Sequence, residues 1–240
     1  MESGTAFDNL QDARVLVLGG SSGIGLATAR MAAGQGAQVT IAGRSLDKAR
    51  AAAAEADVPL EPVSLDIRDE DAVQQFFADT SAFHHIVITA AQFRAGPIRE
   101  LPLAEARATF DSKFWGSYIA ARHAKFADRA SLTFIAGAAS RNPRPGRAQL
   151  VAATAAIEAL TRALAVELAP VRVNCISPGL VDTPMLRAAG FPIDKPLPLP
   201  VPRPAHADEI AFQILACAVN GFMTGAVIDV DGGLGLARPL

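Results

Sequence analysis

Seven residues near the start of the chain, Gly19-Gly20-Ser21-Ser22-Gly23-Ile24-Gly25, form its densest cluster of potential chemistry. They follow an apolar run, Arg14–Leu18, and open a helix-type stretch, Gly23–Ala33. Glycines at a strand-to-helix turn let the backbone approach a diphosphate closely. The helix start then adds unpaired N–H groups and the positive end of its dipole. A tight turn without a ligand is the plainer alternative, but the position directly after the first strand is the one a dinucleotide site requires. Metal chemistry has little to draw on. His84, His85, His123 and His206 form no H-x-x-x-H pair, and Cys175 and Cys217 stand far apart in the chain.

The 240 residues are 50% apolar and carry 22 basic against 24 acidic side chains, a formal charge of −2. Such a balance offers no broad attraction to nucleic acid or to an anionic membrane. The apolar content is enough to offset chain entropy in a packed core. Met1 to Gln11 is mixed and mildly polar, unlike a signal peptide. No uninterrupted apolar run approaches the roughly 20 residues of a membrane span. A cytoplasmic protein is expected.

The elements that must position these residues alternate along the chain. Strand-type runs are Arg14–Leu18, Gln38–Ala42, Pro62–Leu65, Ile86–Thr89, Ser131–Ala136, Arg172–Ile176 and Ala226–Val230. Being apolar on both faces, they suit a parallel sheet covered on each side. Helix-type stretches lie between them: Gly23–Ala33, Leu46–Ala56, Asp69–Ala78, Ala104–Phe126, Ala148–Leu168 and His206–Ala218. The expected fold is α/β: a Rossmann-type, doubly wound parallel sheet of about seven strands with helices on both faces, in one domain spanning 1–240. Helix Ala148–Leu168 is apolar around much of its circumference, which points to a subunit interface. Leu186–Pro204 interrupts the alternation with Pro192, Pro196, Pro198, Pro200, Pro202 and Pro204. It reads as a substrate loop or lid at the carboxyl end of the sheet, with a passive surface loop as the alternative.

The glycine string resembles the T-G-x-x-x-G-I-G loop of the short-chain dehydrogenases/reductases, with Leu18 at the usual Thr. Further blocks match in order. Leu65-Asp66-Ile67 resembles the segment that holds adenine. Thr89-Ala90-Ala91-Gln92 stands where that family reads N-N-A-G. Arg172-Val173-Asn174 and Pro178-Gly179 resemble its R-V-N-x-x-x-P-G block, and Thr224-Gly225 with Asp231-Gly232-Gly233 its terminal signature. The resemblance implies a nicotinamide dinucleotide held by Gly19, Ser21, Ser22, Gly23, Ile24, Gly25, Asp66, Ile67, Ala90, Ala91, Pro178 and Gly179. Val181 and Thr183 fall at the positions for the carboxamide. NAD-specific relatives end their second strand in a carboxylate for the ribose 2′-hydroxyl. Here that strand runs into Gly43-Arg44-Ser45. With no acid to repel a 2′-phosphate and a guanidinium beside it, NADP(H) is the expected cofactor, with Arg44 and Ser45 at the phosphate.

The same comparison of positions exposes a gap. The family reduces carbonyls with a Tyr, a Lys four residues on, a Ser thirteen residues before the Tyr, and an Asn on the preceding helix. Here those positions hold Leu150, Thr154, Gly137 and Lys113. No Tyr-x-x-x-Lys exists elsewhere, since the single tyrosine is Tyr118 and the lysines are Lys48, Lys113, Lys125 and Lys195. Tyr118 and Arg122 share the spacing, but on the wrong helix, where a structural role is expected. Lys113, projecting into the cleft, is the first candidate substitute. Ser140, Arg141, Arg144 and Arg147 precede the altered helix, and a solvated loop is their ordinary reading. Two functions follow: an NADP(H)-dependent oxidoreductase with a non-standard proton route, or an NADP(H)-binding sensor or inactive partner subunit without turnover. A homodimer or homotetramer is expected, because the helices Ala104–Phe126 and Ala148–Leu168 pack against symmetry mates in the resembling family.

Overall fold

The computed structural model describes residues 10–191, 193 and 195–236. Residues 1–9, Pro192, Asp194 and 237–240 lie outside the described residues, and with them most of the stretch read for a leader. Seven strands form one parallel sheet in the order β3-β2-β1-β4-β5-β6-β7. They are β1 (Arg14–Leu18), β2 (Gln38–Gly43), β3 (Leu60–Ser64), β4 (Phe83–Ile88), β5 (Phe126–Ile135), β6 (Arg172–Pro178) and β7 (Val227–Val230). Chain order reverses between β1 and β4, which leaves a crevice at their carboxyl ends. Ligands of open α/β sheets bind at such a crevice.

The helices are α1 (Gly23–Gly34), α2 (Leu46–Ala54), α3 (Glu70–Asp79), α4 (Leu103–Phe110), α5 (Gly116–His123), α6 (Ala148–Glu167), α7 (Pro184–Ala188) and α8 (Ala207–Val219). Alternate strand residues face opposite sides. Leu16 and Leu18 pack with Phe77 of α3, Ala121 of α5 and Ile157 of α6. Val15 and Val17 pack with Ala29 of α1, Ala49 of α2 and Ile210 of α8. Both faces are therefore dry, which is why the strands read as continuous apolar runs instead of alternating ones.

Three elements depart from expectation. The expected helix Ala104–Phe126 ends at His123 and is interrupted by a π-helical turn, Asp111–Trp115. Phe126 instead opens β5, in register with Phe83 of β4, where strand pairing overrides a locally helical pattern. A short helix, α7, occupies the start of the Pro-rich region. Thr183 caps it by accepting a hydrogen bond from the Leu186 N–H, and Pro184 fills the first turn. The later part of that region is pinned down. Leu197 and Leu199 are buried against Ala138 and Leu234, and the Val201 N–H donates to the Gly232 carbonyl at 3.0 Å.

α6 has the length and mean hydropathy, 1.3, of a membrane-crossing helix. It instead lies along the sheet, burying Ala153, Thr154, Ile157, Thr161 and Leu164 at helical spacing and leaving Val166 80% exposed.

Candidate dinucleotide crevice and active site

The glycine loop is pressed onto the sheet. The Gly19 N–H donates to the Ala42 carbonyl at 2.7 Å, and the Thr89 hydroxyl lies 3.2 Å from the Gly19 and Leu18 carbonyls. Gly19 has φ +92, and a Cβ there would stand 2.6 Å from the Thr89 hydroxyl and 2.7 Å from the Ala90 nitrogen. A Cβ on Gly25 would collide with the Gly19 carbonyl oxygen. Only glycine fits at either place. Ser22, the N-cap of α1, makes no side-chain capping bond, and the first turn holds no acid. The uncapped N–H groups and the dipole suit an anion. Thr183 closes over this loop, its methyl group 3.1 Å from where a Cβ on Gly23 would lie.

Around the loop, the expected binding residues converge on the carboxyl edge of the sheet. Arg44 is exposed and donates to Gln92 Oε1 at 3.2 Å. Ser45 is half-buried and caps α2 by accepting from the Lys48 N–H at 3.3 Å. Asp66 is held by Arg68 at 2.6 Å. The hydrogen bonds from Arg68 keep its carboxyl below the ordinary range, although partial burial opposes this. Ile67 is buried and packs against Gly116. The Ala90 N–H donates to the Leu18 carbonyl at 3.1 Å, and the Gln92 N–H to Ser112 Oγ at 2.9 Å. Ala91 sits between them, partly exposed. On the other side, the Gly179 N–H, following Pro178, donates to the Val230 carbonyl at 3.1 Å, and Val181 bridges to Ala205. Sequence reasoning quoted Thr89 and Gln92 only as members of a matching block, without a role, and passed over Ser112. A hydroxyl at the end of an apolar strand was the available signal for Thr89.

At the catalytic positions, proton chemistry is sparse. Lys113 lies in the π turn, only 5% exposed. Its Nζ donates to the carbonyls of Ile135 at 2.9 Å and Ala136 at 3.0 Å, at the end of β5. It thus departs from the expectation of an ammonium projecting into the cleft: the wider π turn lets it reach two main-chain acceptors. Burial pushes its pKa down to about 8. Gly137 follows directly, and a Cβ there would lie 3.5 Å from the Thr154 methyl group, an ordinary van der Waals contact. Thr154 is 1% exposed, and its hydroxyl turns back to the Leu150 and Val151 carbonyls, both at 2.9 Å. Its single proton is thus spent within α6. Leu150 is half-buried and offers no polar atom.

The loop before α6 also differs from a simple solvated stretch. Ser140 and Arg141 both donate to Glu158 Oε1 at 2.8 Å. Arg141 further pairs with Asp229 at 3.0 Å and reaches Ser177 Oγ at 3.2 Å. These two residues anchor the loop. Tyr118 packs on Trp115, and Arg122 pairs with Glu70 at 3.4 Å.

A family model described as enoyl-(acyl carrier protein) reductase matches residues 19–235. A cis-4-hydroxycyclohexanecarboxylate dehydrogenase of Sinomonas cyclohexanicum is 32% identical, over 91% of this chain and 94% of that protein. Among solved structures, a short-chain dehydrogenase/reductase family protein superposes with a TM-score of 0.87 at 32% identity, covering 95% of this chain and 99% of the other. A small-chain dehydrogenase solved with NADPH reaches 0.77 at 34% identity, covering 95% and 100%. The chain is therefore a member of the short-chain dehydrogenase/reductase family.

Proposed function

We propose that the chain binds NADP(H) across the crevice and acts as an oxidoreductase of weak or altered activity on a carbonyl or CH–OH group. The carrying observation is Arg44: an exposed guanidinium at the end of β2, oriented by Gln92, beside Gly43 where a 2′-hydroxyl-binding carboxylate would stand. The cradle that a Cβ would fill at Gly19 and Gly25 fits a diphosphate. When bound, the nicotinamide supplies or accepts a hydride. The chain's own part is to hold the dinucleotide through the glycine loop and Arg44, and to hold a proton at Lys113 Nζ. With its amine lowered to about 8, Lys113 remains mostly charged at neutral pH. Its charge, held under the Ala136 carbonyl one residue before Gly137, would favour negative charge building on an oxygen near the end of β5. The Pro-rich segment 186–204 is assigned here as the substrate loop.

A second reading, a non-catalytic NADP(H)-binding sensor or inactive partner subunit, is favoured by the two commitments already described. The Thr154 hydroxyl is turned into its helix, and two of the Lys113 protons are given to carbonyls. Long incubation with NADPH and a broad carbonyl panel, followed by product analysis, separates the readings. Product that disappears in Lys113→Met supports the enzyme, and tight NADPH binding without product supports the sensor. In either case we take the protein to be a cytoplasmic homodimer or homotetramer.

A further inference from the structure

Among the described residues, two guanidinium groups in the loop before α6 meet no counter-charge. Arg94 pairs with Glu105 and Arg141 with Glu158 and Asp229. Arg144 and Arg147 meet no carboxylate among the described residues. Arg144 Nη2 is buried without any hydrogen-bond partner. Arg147 lies over the Phe93 ring, 5.8 Å from its centroid, half-buried. Burial and the nearby Arg144 charge both weaken its hold on its proton. A desolvated guanidinium with unused donors is costly, and an anion removes that cost.

The loop that carries this pair is joined to the loop after β4, at the carboxyl end of the sheet. The Gly96 N–H donates to the Gly146 carbonyl at 2.9 Å, and Gln149 Nε2 to the Arg94 carbonyl at 2.7 Å. These bonds join the loop after β4 to the loop before α6, and Phe93 and Arg147 stack across the seam. Arg147 is also the N-cap of α6, whose first turn has no acid and no side-chain cap. Leu150 follows one helical turn later.

We propose that Arg144 and Arg147 bind a carboxylate carried by the substrate, with the reacting carbon directed toward Leu150 and Gly137. The planar fork of a guanidinium matches a carboxylate in two hydrogen bonds, which inorganic or point-charge partners do not exploit as fully. This assignment rests on the crevice being the oxidoreductase site proposed above, and it narrows the substrate to oxo- or hydroxy-carboxylic acids.

The test is binding rather than turnover. The full chain, saturated with NADPH, is titrated calorimetrically with 4-oxopentanoate and 6-oxoheptanoate and with their methyl esters. The acids should bind at least about 10-fold tighter than the esters, from one lost charged hydrogen-bonded pair. Arg144→Gln and Arg147→Gln should each reduce that preference while leaving NADPH affinity unchanged. A variant whose melting midpoint falls is replaced by its Lys counterpart, which must still weaken the acid more than the ester. Equal binding of acid and ester, no binding of either acid, or a preference that survives in the Arg144→Gln/Arg147→Gln double variant would overturn the proposal. If NADPH itself does not bind, the dinucleotide reading falls alone, and the same titration without it decides the carboxylate site.

Discussion

Lys113 Nζ and the main-chain carbonyl oxygen of Ala136 are 3.0 Å apart, which ties the ammonium to the residue preceding Gly137. Of the four replaced catalytic positions, this is the one that retains a charge. It is also buried close to Cys175, whose thiol burial pushes up to about 12. Both groups prefer their neutral forms when folded, and their preferences act over different pH ranges.

Folding stability should therefore rise between about pH 8 and 9 and then level off. Lys113 titrates near 8 when folded, against an ordinary 10.5, so above 8 the unfolded chain binds more protons and stability grows with pH. Below 8 the burial penalty is fully present. Cys175 works oppositely from 9 upward, because its thiolate forms more readily in the unfolded chain. Denaturant melts across this range should show a gain of about 1 kcal/mol between pH 8 and 9. In Lys113→Met the rising limb should vanish, and in Cys175→Ala it should continue past 9. A wild-type curve flat from 7 to 10 would contradict the burial of Lys113.

Arg44→Ala should weaken NADPH binding about 10- to 100-fold and NADH binding little, since only NADPH has the 2′-phosphate to lose. Gln92→Ala should have a smaller effect of the same sign, because it removes the 3.2 Å tether on Arg44 and not the charge. Fluorescence titration of both cofactors checks this. Equal weakening of the two by Arg44→Ala would remove the residue from the phosphate site.

Local chemistry made the glycine turn and the strand-end charge of the proposed cofactor side legible from sequence. Gly19 and Gly25 are dictated by close backbone packing and Arg44 is an exposed charge at a strand end, features readable from neighbouring residues. The catalytic half was less so. That position 154 holds a hydroxyl is visible in the chain, but its turn back to Leu150 is a rotamer choice in a crowded helix. Lys113 was recognisable as a candidate, yet its burial depends on the π turn and on the carbonyls of β5. Arg141, Arg144 and Arg147 look alike along the loop. Glu158 and Asp229, which single out Arg141, lie far away in the chain and meet it only after folding.

The protein should sediment as a dimer or tetramer at micromolar concentration. Phe114, Trp115 and Tyr118 form an aromatic cluster with Trp115 51% and Tyr118 39% exposed, on the helix that precedes β5. Val166 leaves a second apolar spot on the outer face of α6. A two-fold contact buries both copies of such a patch at once. Trp115→Asp should shift the distribution toward monomer if the aromatic cluster is the interface. A monomeric wild type would rule out both.

Simple ketones and secondary alcohols should be turned over at least about 10³-fold more slowly than by a working reductase of this family. Hydride transfer to a carbonyl builds negative charge on oxygen, and a positioned acid and an oxyanion donor are worth about 10²–10⁴-fold and 10²–10³-fold respectively. Leu150 and Gly137 provide neither. The Thr154 hydroxyl already donates to its own helix, so it does not reach a ribose or a substrate. Lys113 keeps one proton beyond its bonds to the Ile135 and Ala136 carbonyls, just before Gly137 in the chain. Any residual rate should therefore depend on Lys113 and fall as pH rises above about 8, when the ammonium loses its charge. Introducing Leu150→Tyr with Thr154→Lys should raise the rate, because the pair restores an acid and its charged neighbour on one face of α6. Steady-state assays of wild type, Lys113→Met and the double variant check each step. A wild-type turnover near 10 s⁻¹ on a simple ketone, the usual enzyme median, would mean that a proton donor other than these groups operates in the crevice.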